Sequence, residues 1–185
     1  KPLLENPLDY SKLENALGGR PSLCVVDSTN MLNENKGMSE TLLKEPIAKI
    51  IEESKGRVIF TSFASNLGRL KIIAEAGEKS GRSIAVFGRA MNNMLSKALE
   101  TNIFTDFPTL IDSRKAHMVP RENLLVIATG SQGEIRAASA QLSRGKYMGL
   151  ELEEGDTFVF SSKTIPGNEI SVNRVINNLS DKGVV

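Results

Sequence analysis

Short apolar runs recur along the chain, and each is followed by a segment with apolar residues at helical spacing. The pattern predicts strands at residues 23–26, 57–60, 83–87, 124–128 and 157–160. Continuous apolar runs of this length are typical of strands buried on both faces, and strands that alternate with helices form parallel sheets. We therefore expect an α/β fold, with a three-layer α/β/α arrangement around a mainly parallel five-stranded sheet.

The segments between these runs predict the helices. One helix is expected to begin after Ser39 and to run to Ile51, with Pro46 in its first turn or at a break. Further helices are predicted from the periodicity over 67–77, 90–99, 134–142 and 172–179, and a short one over 109–115. Val184 and Val185 have the character of the first residues of another strand.

Composition limits the class of protein. A chain of 185 residues is long enough for one main core. Its apolar runs fall well short of the ~20 residues needed to span a membrane, so no membrane segment is expected. The formal net charge is only +1, so any contact with nucleic acid must come from local basic patches.

Cysteine and histidine are each present once. Cys24 lies in an apolar run, which predicts a buried small hydrophobe and excludes an intramolecular disulfide. A cytoplasmic location is expected on that basis. His117 has no second His or Cys nearby, so a surface histidine is expected rather than a metal ligand. Because the chain begins at Lys1 without a signal-peptide pattern, we expect it to be an excised fragment.

Small polar residues follow all five predicted strands. These loops lie at residues 27–30, 61–66, 88–90, 129–134 and 161–168. In a parallel α/β sheet the binding crevice lies at the carboxyl ends of the strands, so the five loops should converge there. That convergence is stronger evidence for a site than any one loop.

Each loop has a functional and a structural interpretation. Asp27 is either a turn or capping aspartate, which residue chemistry alone favours, or a carboxylate that orients a reacting group. Arg89 follows a strand-ending glycine, where a guanidinium could bind phosphate or remain solvated. Gly130 and Gly133 allow close backbone approach to a phosphate, but their spacing matches neither the dinucleotide fingerprint nor the P-loop.

With these residues laid out, the sequence resembles the ribonuclease J family, in the β-CASP branch of the metallo-β-lactamase superfamily. The resemblance extends in order from about Leu23 to Val185. Its motifs are Asp27-Ser28-Thr29-Asn30, Phe63-Ala64-Ser65-Asn66, Gly88-Arg89-Ala90-Met91, Thr129-Gly130-Ser131-Gln132-Gly133-Glu134, Phe160-Ser161-Ser162, Ile165-Pro166-Gly167-Asn168-Glu169 and Val172-Asn173-Arg174. Ile135 departs from the pattern, since relatives often carry proline there, and the loop 33–37 lacks a familiar proline.

The resemblance implies a parent ribonuclease that cuts RNA internally and degrades it from a monophosphorylated 5′ end. It implies two divalent metal ions, usually zinc, which generate the nucleophile and neutralise charge on the phosphate. The histidine-rich metal motif of the family has no counterpart in this sequence. The chain is therefore expected to hold no metal of its own and to be catalytically inactive alone.

The resemblance also implies a division of the chain and a set of roles. Residues 1–30 would be a flank that belongs to the metallo-β-lactamase domain or leads out of it. Residues 31–167 would form the β-CASP domain, and 168–185, a helix and the start of a strand, would return towards the lactamase domain. Asp27 would support a metal-binding histidine from outside this chain. The expected partners are RNA, the lactamase domain in cis and further copies in a homodimer or tetramer of the full protein. The residues expected to contact RNA are Ser62, Ser65, Asn66, Arg69, Arg89, Ser131, Gln132, Ser161 and Asn168.

Two other functions remain open from the sequence. A stand-alone doubly wound domain could hold a nucleotide or phosphorylated metabolite in the same crevice. An interaction or oligomerisation domain could use the polar loops only to cap helices. A histidine-rich metal motif in the flanking sequence would favour the ribonuclease over both.

Overall fold

A single all-parallel sheet forms the centre of the computed structural model, which describes residues 8–25 and 39–185. The strands are β1 (Val58–Thr61), β2 (Ser83–Phe87), β3 (Leu110–Ile111), β4 (Leu124–Ala128) and β5 (Thr157–Phe160). Their order across the sheet is β3-β2-β4-β1-β5. Every strand pair is parallel, which confirms the predicted sheet type.

The described residues form six α-helices. They are α1 (Tyr10–Leu17), α2 (Lys44–Glu53), α3 (Leu67–Lys79), α4 (Arg89–Glu100), α5 (Ala138–Arg144) and α6 (Glu169–Ser180). Of these helices, α2 to α6 pack on the sheet and α1 has no buried residue. Three 3-10 helices lie at Glu40–Leu43, Ser113–Met118 and Arg121–Asn123. None of the helices in the described ranges is long and apolar enough to cross a membrane.

Alternating strand residues build two separate cores. Phe60, Val86 and Ile127 point to the face covered by α2, α3 and α4. Their neighbours Phe87 and Val126 point to the opposite face, covered by α5, α6 and the 3-10 helix Ser113–Met118. Since side chains alternate along a strand, a sheet buried on both faces needs continuous apolar runs. The three-layer α/β/α architecture is confirmed.

Buried charges close the edge of the sheet at the amino ends of the strands. The Asp156 carboxylate is fully buried and lies 3.1 Å from the Arg57 guanidinium and 3.0 Å from that of Arg121. Arg82, also buried, donates to the carbonyl oxygens of Ser54 at 2.6 Å and Gly56 at 2.8 Å. Burial lowers the pKa of the Arg82 guanidinium. These bonds tie α2, β1 and the turn before β5 together.

Four of the five predicted strands are confirmed, and the exceptions have physical causes. The strand predicted at 23–26 is wrong over its described residues, because Leu23 and Val25 are exposed and no strand forms there. The prediction that Cys24 is buried is wrong for the same reason. Instead, β3 supplies the fifth strand, where a helix was predicted over 109–115.

Two further predictions need correction at element ends. The helix predicted over 134–142 begins only at Ala138, because the preceding residues form the turn after β4. Val185 pairs with the outer edge of β5 through a bond from the Phe158 N–H at 2.7 Å, but it forms no strand of its own. The predictions of an exposed His117 and of Pro46 in the first turn of a helix are confirmed.

Candidate functional site

The order of the sheet reverses between its adjacent strands β1 and β4. The chain leaves β1 through α3 on one face and reaches β2, whereas it leaves β4 through α5 on the other face and reaches β5. In a doubly wound sheet, loops that diverge in this way leave a crevice at the carboxyl ends of the two strands. The Ser62 N–H donates to the Ala128 carbonyl oxygen at 3.3 Å, which joins the loops at the base of this crevice.

The loop after β4, residues 129–134, is folded tightly by local hydrogen bonds. The Ser139 hydroxyl donates to the Gly130 carbonyl oxygen at 2.8 Å, and the Gly133 N–H donates to the same oxygen at 3.1 Å. Gly130 and Gly133 both have positive φ, at 109° and 72°. A side chain at Gly133 would also collide with the backbone of Ser171 in α6. Glycine is therefore required here by backbone conformation and by close packing.

Gln132 connects this loop to residues 161–168, which we call the β5 loop. Its Nε2 donates to the Lys163 carbonyl oxygen at 3.0 Å. Its Oε1 accepts from the Ile165 N–H at 2.8 Å and from the Asn168 side-chain amide at 3.2 Å. Only 6% of Gln132 is exposed. The polar atoms of its side chain are thus bonded within the protein, and they link the loops that follow the strands on either side of β1.

Arg69 makes the corresponding connection at the start of the β5 loop. Its Nη1 donates to the carbonyl oxygen and to the hydroxyl of Ser161, both at 2.6 Å. The rest of the guanidinium forms a two-point contact with Glu40, at 2.7 Å from Nε and 2.9 Å from Nη2. Asn66 caps α3 by accepting from the Arg69 N–H at 3.0 Å and also donates to Glu40 at 3.2 Å.

The Glu40 carboxyl has a lowered pKa. Partial burial alone raises that pKa, but hydrogen bonds from Arg69 and Asn66, together with the Arg69 charge, outweigh burial. Glu40 is therefore ionised at neutral pH and holds Arg69 in place beside Ser161. This network fixes the positions of the β1 and β5 loops relative to each other.

Two hydroxyls at this edge have no partner among the described residues. They belong to Ser62 after β1 and Ser162 after β5, and both oxygen atoms are buried. Buried polar groups are normally hydrogen-bonded, so an orphaned hydroxyl requires an explanation such as a bound group. The neighbouring strands β1 and β5 therefore each present one unsatisfied donor and acceptor at the carboxyl edge.

The residues predicted to contact RNA differ in accessibility. Ser65 and Arg89 are exposed, whereas Ser62, Ser131 and Gln132 are buried. The half-buried members of the set are Asn66, Arg69, Ser161 and Asn168. The structure brings the loops after β1, β4 and β5 into one hydrogen-bonded group. The Thr129 N–H donates to the carbonyl oxygen of Phe87 at 3.0 Å, which places the loop after β4 beside Gly88. Contact with RNA stays a prediction for all nine, and Asp27 lies outside the described residues.

Three residues at this edge were missed by the sequence analysis. Glu40 is 29 positions from its partner Arg69, and no local pattern reveals such a pair. Ser162 had a signal, since it continues the Ser161-Ser162 pair directly after β5. Lys163 had one too, as a cation in a predicted binding loop.

The described residues do not form a metal centre. Within residues 8–25 and 39–185, no group of three or more His, Cys, Asp or Glu side chains could hold a metal ion. The donors at the carboxyl edge are hydroxyls, amides and guanidinium groups, which suit an anionic ligand better than a cation. No metal-dependent step is assigned to these residues.

A sheet with helices on both faces and loops that diverge at a switch point defines a doubly wound α/β domain, a class whose ligands generally bind at that edge. Residues 55–179 match the family model described as ribonuclease J, beta-CASP domain, and the chain belongs to this family.

Curated relatives agree with the match. The chain is 40% identical over 160 residues to ribonuclease J of Sinorhizobium meliloti, covering 86% of this chain and 28% of that protein. It is 41% identical over 181 residues to ribonuclease J 1 of Streptococcus pyogenes, covering 97% of this chain and 32% of that protein. A third relative, ribonuclease J of Thermus thermophilus, is 34% identical over 157 residues, with 85% and 27% covered. The chain thus spans about a third or less of the relatives it matches.

Proposed function

We propose that this chain is the RNA-holding domain of a longer metal-dependent ribonuclease. The observation that carries the proposal is the crevice between β1 and β4, where hydrogen-bonded polar loops surround the buried, unpartnered Ser62 hydroxyl. Its family relatives are named ribonucleases. RNA fits the site because its phosphates accept from hydroxyls and guanidinium groups, and Ser65 and Arg89 at this edge are exposed.

The catalytic centre is proposed to lie in the rest of that longer protein. Two divalent metal ions, with zinc as the expected element, would be held there, and cleavage would proceed internally and from the 5′ end. Asp27 is proposed to orient a ligand of that centre. The cytoplasm as its location and a homodimer or tetramer as its assembly are further proposals.

Within the described part of the chain, the loops would bind and orient RNA. Arg89 is exposed at the first residue of α4, where the helix N-terminus adds a favourable field for an anion. A guanidinium there can contact a phosphate through two hydrogen bonds. Thr61, Ser62 and the Gly130 turn, all buried, would shape the crevice floor.

Substitution of Arg89 in the full-length ribonuclease tests this proposal. Arg89→Ala should weaken binding of a single-stranded RNA oligonucleotide several-fold and lower the slope of log affinity against log salt by about 0.7. Because Arg89 is exposed, the melting temperature should hold. The matched control is Lys55→Ala, which removes an exposed cation just before β1, at the opposite edge. Equal effects of the two variants, or none from Arg89→Ala, would contradict the proposal.

A further inference from the structure

Gln132 occupies an unusual position for a residue in a binding loop. It is buried, and both ends of its amide bond to the β5 loop rather than pointing into the crevice. The orientation of the amide is fixed, because Nε2 faces the Lys163 carbonyl oxygen and Oε1 faces the Ile165 N–H. A flipped amide would place two acceptors together and two donors together.

Apart from Gln132, the β5 loop is held at its two ends and by a bond from the Gly167 N–H to the Glu169 carboxylate at 2.8 Å. Arg69 anchors its start at Ser161, and Asn168 closes its end with a bond from its N–H to the Ile165 carbonyl oxygen at 3.0 Å. Residues 163–167 between these anchors are exposed. The Gln132 amide reaches this part from the loop after β4 and bonds to Lys163 and Ile165.

Lys163 is the cation at the centre of that exposed part. Its carbonyl oxygen is held by Gln132, so its backbone is fixed while its side chain remains in solvent. A lysine held in this way can contact an RNA phosphate without first ordering the loop, which lowers the entropic cost of binding. If the Gln132 bonds were lost, the lysine would still be present but no longer positioned.

We infer that Gln132 is a positioning residue that holds the β5 loop so that Lys163 contacts the RNA backbone, and that this role replaces the direct RNA contact predicted for Gln132 from the sequence. The inference rests on the proposed function, since it assumes RNA in the crevice. It assigns Lys163 a role in phosphate binding and gives Gln132 an indirect one.

Gln132 carries no charge, so the salt dependence of RNA binding can show whether it acts by positioning Lys163. In the full-length ribonuclease, binding of a single-stranded RNA oligonucleotide is measured over a range of salt concentrations, in a chelating buffer that stops hydrolysis. Lys163→Ala should lower the salt slope by about 0.7, as expected for one lost phosphate contact. Gln132→Met should lower it by a similar amount, although no charge is removed. The double variant should show no further loss, because the two residues act through one contact.

Gln141→Met is the matched control. Gln141 lies on α5, and its side-chain amide donates to the Arg136 carbonyl oxygen at 3.2 Å in an exposed contact. Its substitution should leave the affinity and the salt slope unchanged. Should Gln132→Met fail to fold, Gln132→Asn takes its place, since it keeps the amide but shortens the side chain by one methylene. It should lower the salt slope by the amount expected for Gln132→Met.

Amide hydrogen exchange provides a second measurement in folded protein. Gln132→Met should speed exchange at Ile165, whose N–H it no longer binds, while amides in β4 and β5 stay protected. Unchanged exchange at Ile165 would overturn the positioning role.

The remaining outcomes separate the inference from the proposed function. If Gln132→Met weakens binding at an unchanged slope and adds to Lys163→Ala, then Gln132 contacts RNA directly and the inference is wrong. It is also wrong if Arg89→Ala weakens binding but Lys163→Ala and Gln132→Met do not, and then the proposed function survives. If all three variants bind RNA as the parent does, the proposed function itself fails.

Discussion

The loop residues show how far single side chains can be assigned from the sequence. The polar character of the loops after β1, β4 and β5 was evident, and the need for Gly130 and Gly133 is explained by their positive φ. The burial of Ser131 and Gln132 was not predictable. The Gln132 side chain bonds to residues 31 to 36 positions away, and no local pattern reveals such bonds.

Glu40 provides a prediction at this scale. Its pKa in the folded protein lies below the ordinary value of 4.5, so the folded state binds fewer protons than the unfolded chain near that pH. The stability that Glu40 contributes is therefore present above pH 4.5 and is lost as pH falls through the lowered pKa. Glu40→Gln should lower the free energy of unfolding at neutral pH, and the difference from the parent should shrink in acid.

Urea unfolding of this chain at several pH values measures that difference. Glu53→Gln is the control, because the Glu53 carboxylate forms an exposed pair with Lys49 at 3.8 Å. A difference between Glu40→Gln and the parent that stays constant down to about pH 3 would show that the carboxylate charge is unimportant.

Among the elements, length and burial decided which could be predicted. Strands β1, β2, β4 and β5 are continuous apolar runs and were predicted to within one residue. In contrast, β3 has only two residues, both half-buried, and carries too little pattern to distinguish it from a helical turn. The segment 23–25 shows the opposite error, since its apolar residues are exposed.

Asp156 gives a prediction at the element scale, because it joins β1 to the turn before β5. Asp156→Ala would leave the Arg57 and Arg121 guanidinium groups without their shared buried carboxylate. Removing one partner from a buried ion pair costs about 3–5 kcal/mol, so the free energy of unfolding should fall by about that amount. Urea unfolding measures the change.

Asp106→Ala is the matched control, since the Asp106 side chain is 75% exposed in its pair with Lys71. It should shift the unfolding midpoint little. In conditions where the full-length protein stays folded, Asp156→Ala should also leave RNA affinity unchanged, because Asp156 lies at the opposite edge from the crevice. A small loss of stability from Asp156→Ala would show that the cluster adapts to the loss.

For the whole molecule, alternation of strands and helices was sufficient to predict the architecture. The two cores on the two faces follow from the apolar runs, and the five-stranded parallel sheet was predicted although one of its members was misplaced. The strand order was beyond reach, since it depends on which strands pair. The meeting of the polar loops at the carboxyl edge was nevertheless predictable, because every parallel strand ends there.

A nuclease assay tests whether the catalytic centre lies outside this chain. This chain alone, with added zinc or manganese, should not hydrolyse RNA, because its described residues form no metal-binding group. The full-length ribonuclease assayed in parallel is the positive control. If nuclease activity co-purifies with this chain, the catalytic centre lies within these residues and the proposal is contradicted.

The two outermost strands have a consequence for assembly. Unpaired edges invite a second chain to extend the sheet, and such pairing leads to strand exchange or aggregation. Here one edge is β3, only two residues long, and the other is β5, whose outer side already binds the backbone of Val185. Among the described residues, neither edge offers a long flat template for a second copy. We therefore expect that two copies of this chain do not associate through a continuous intermolecular sheet.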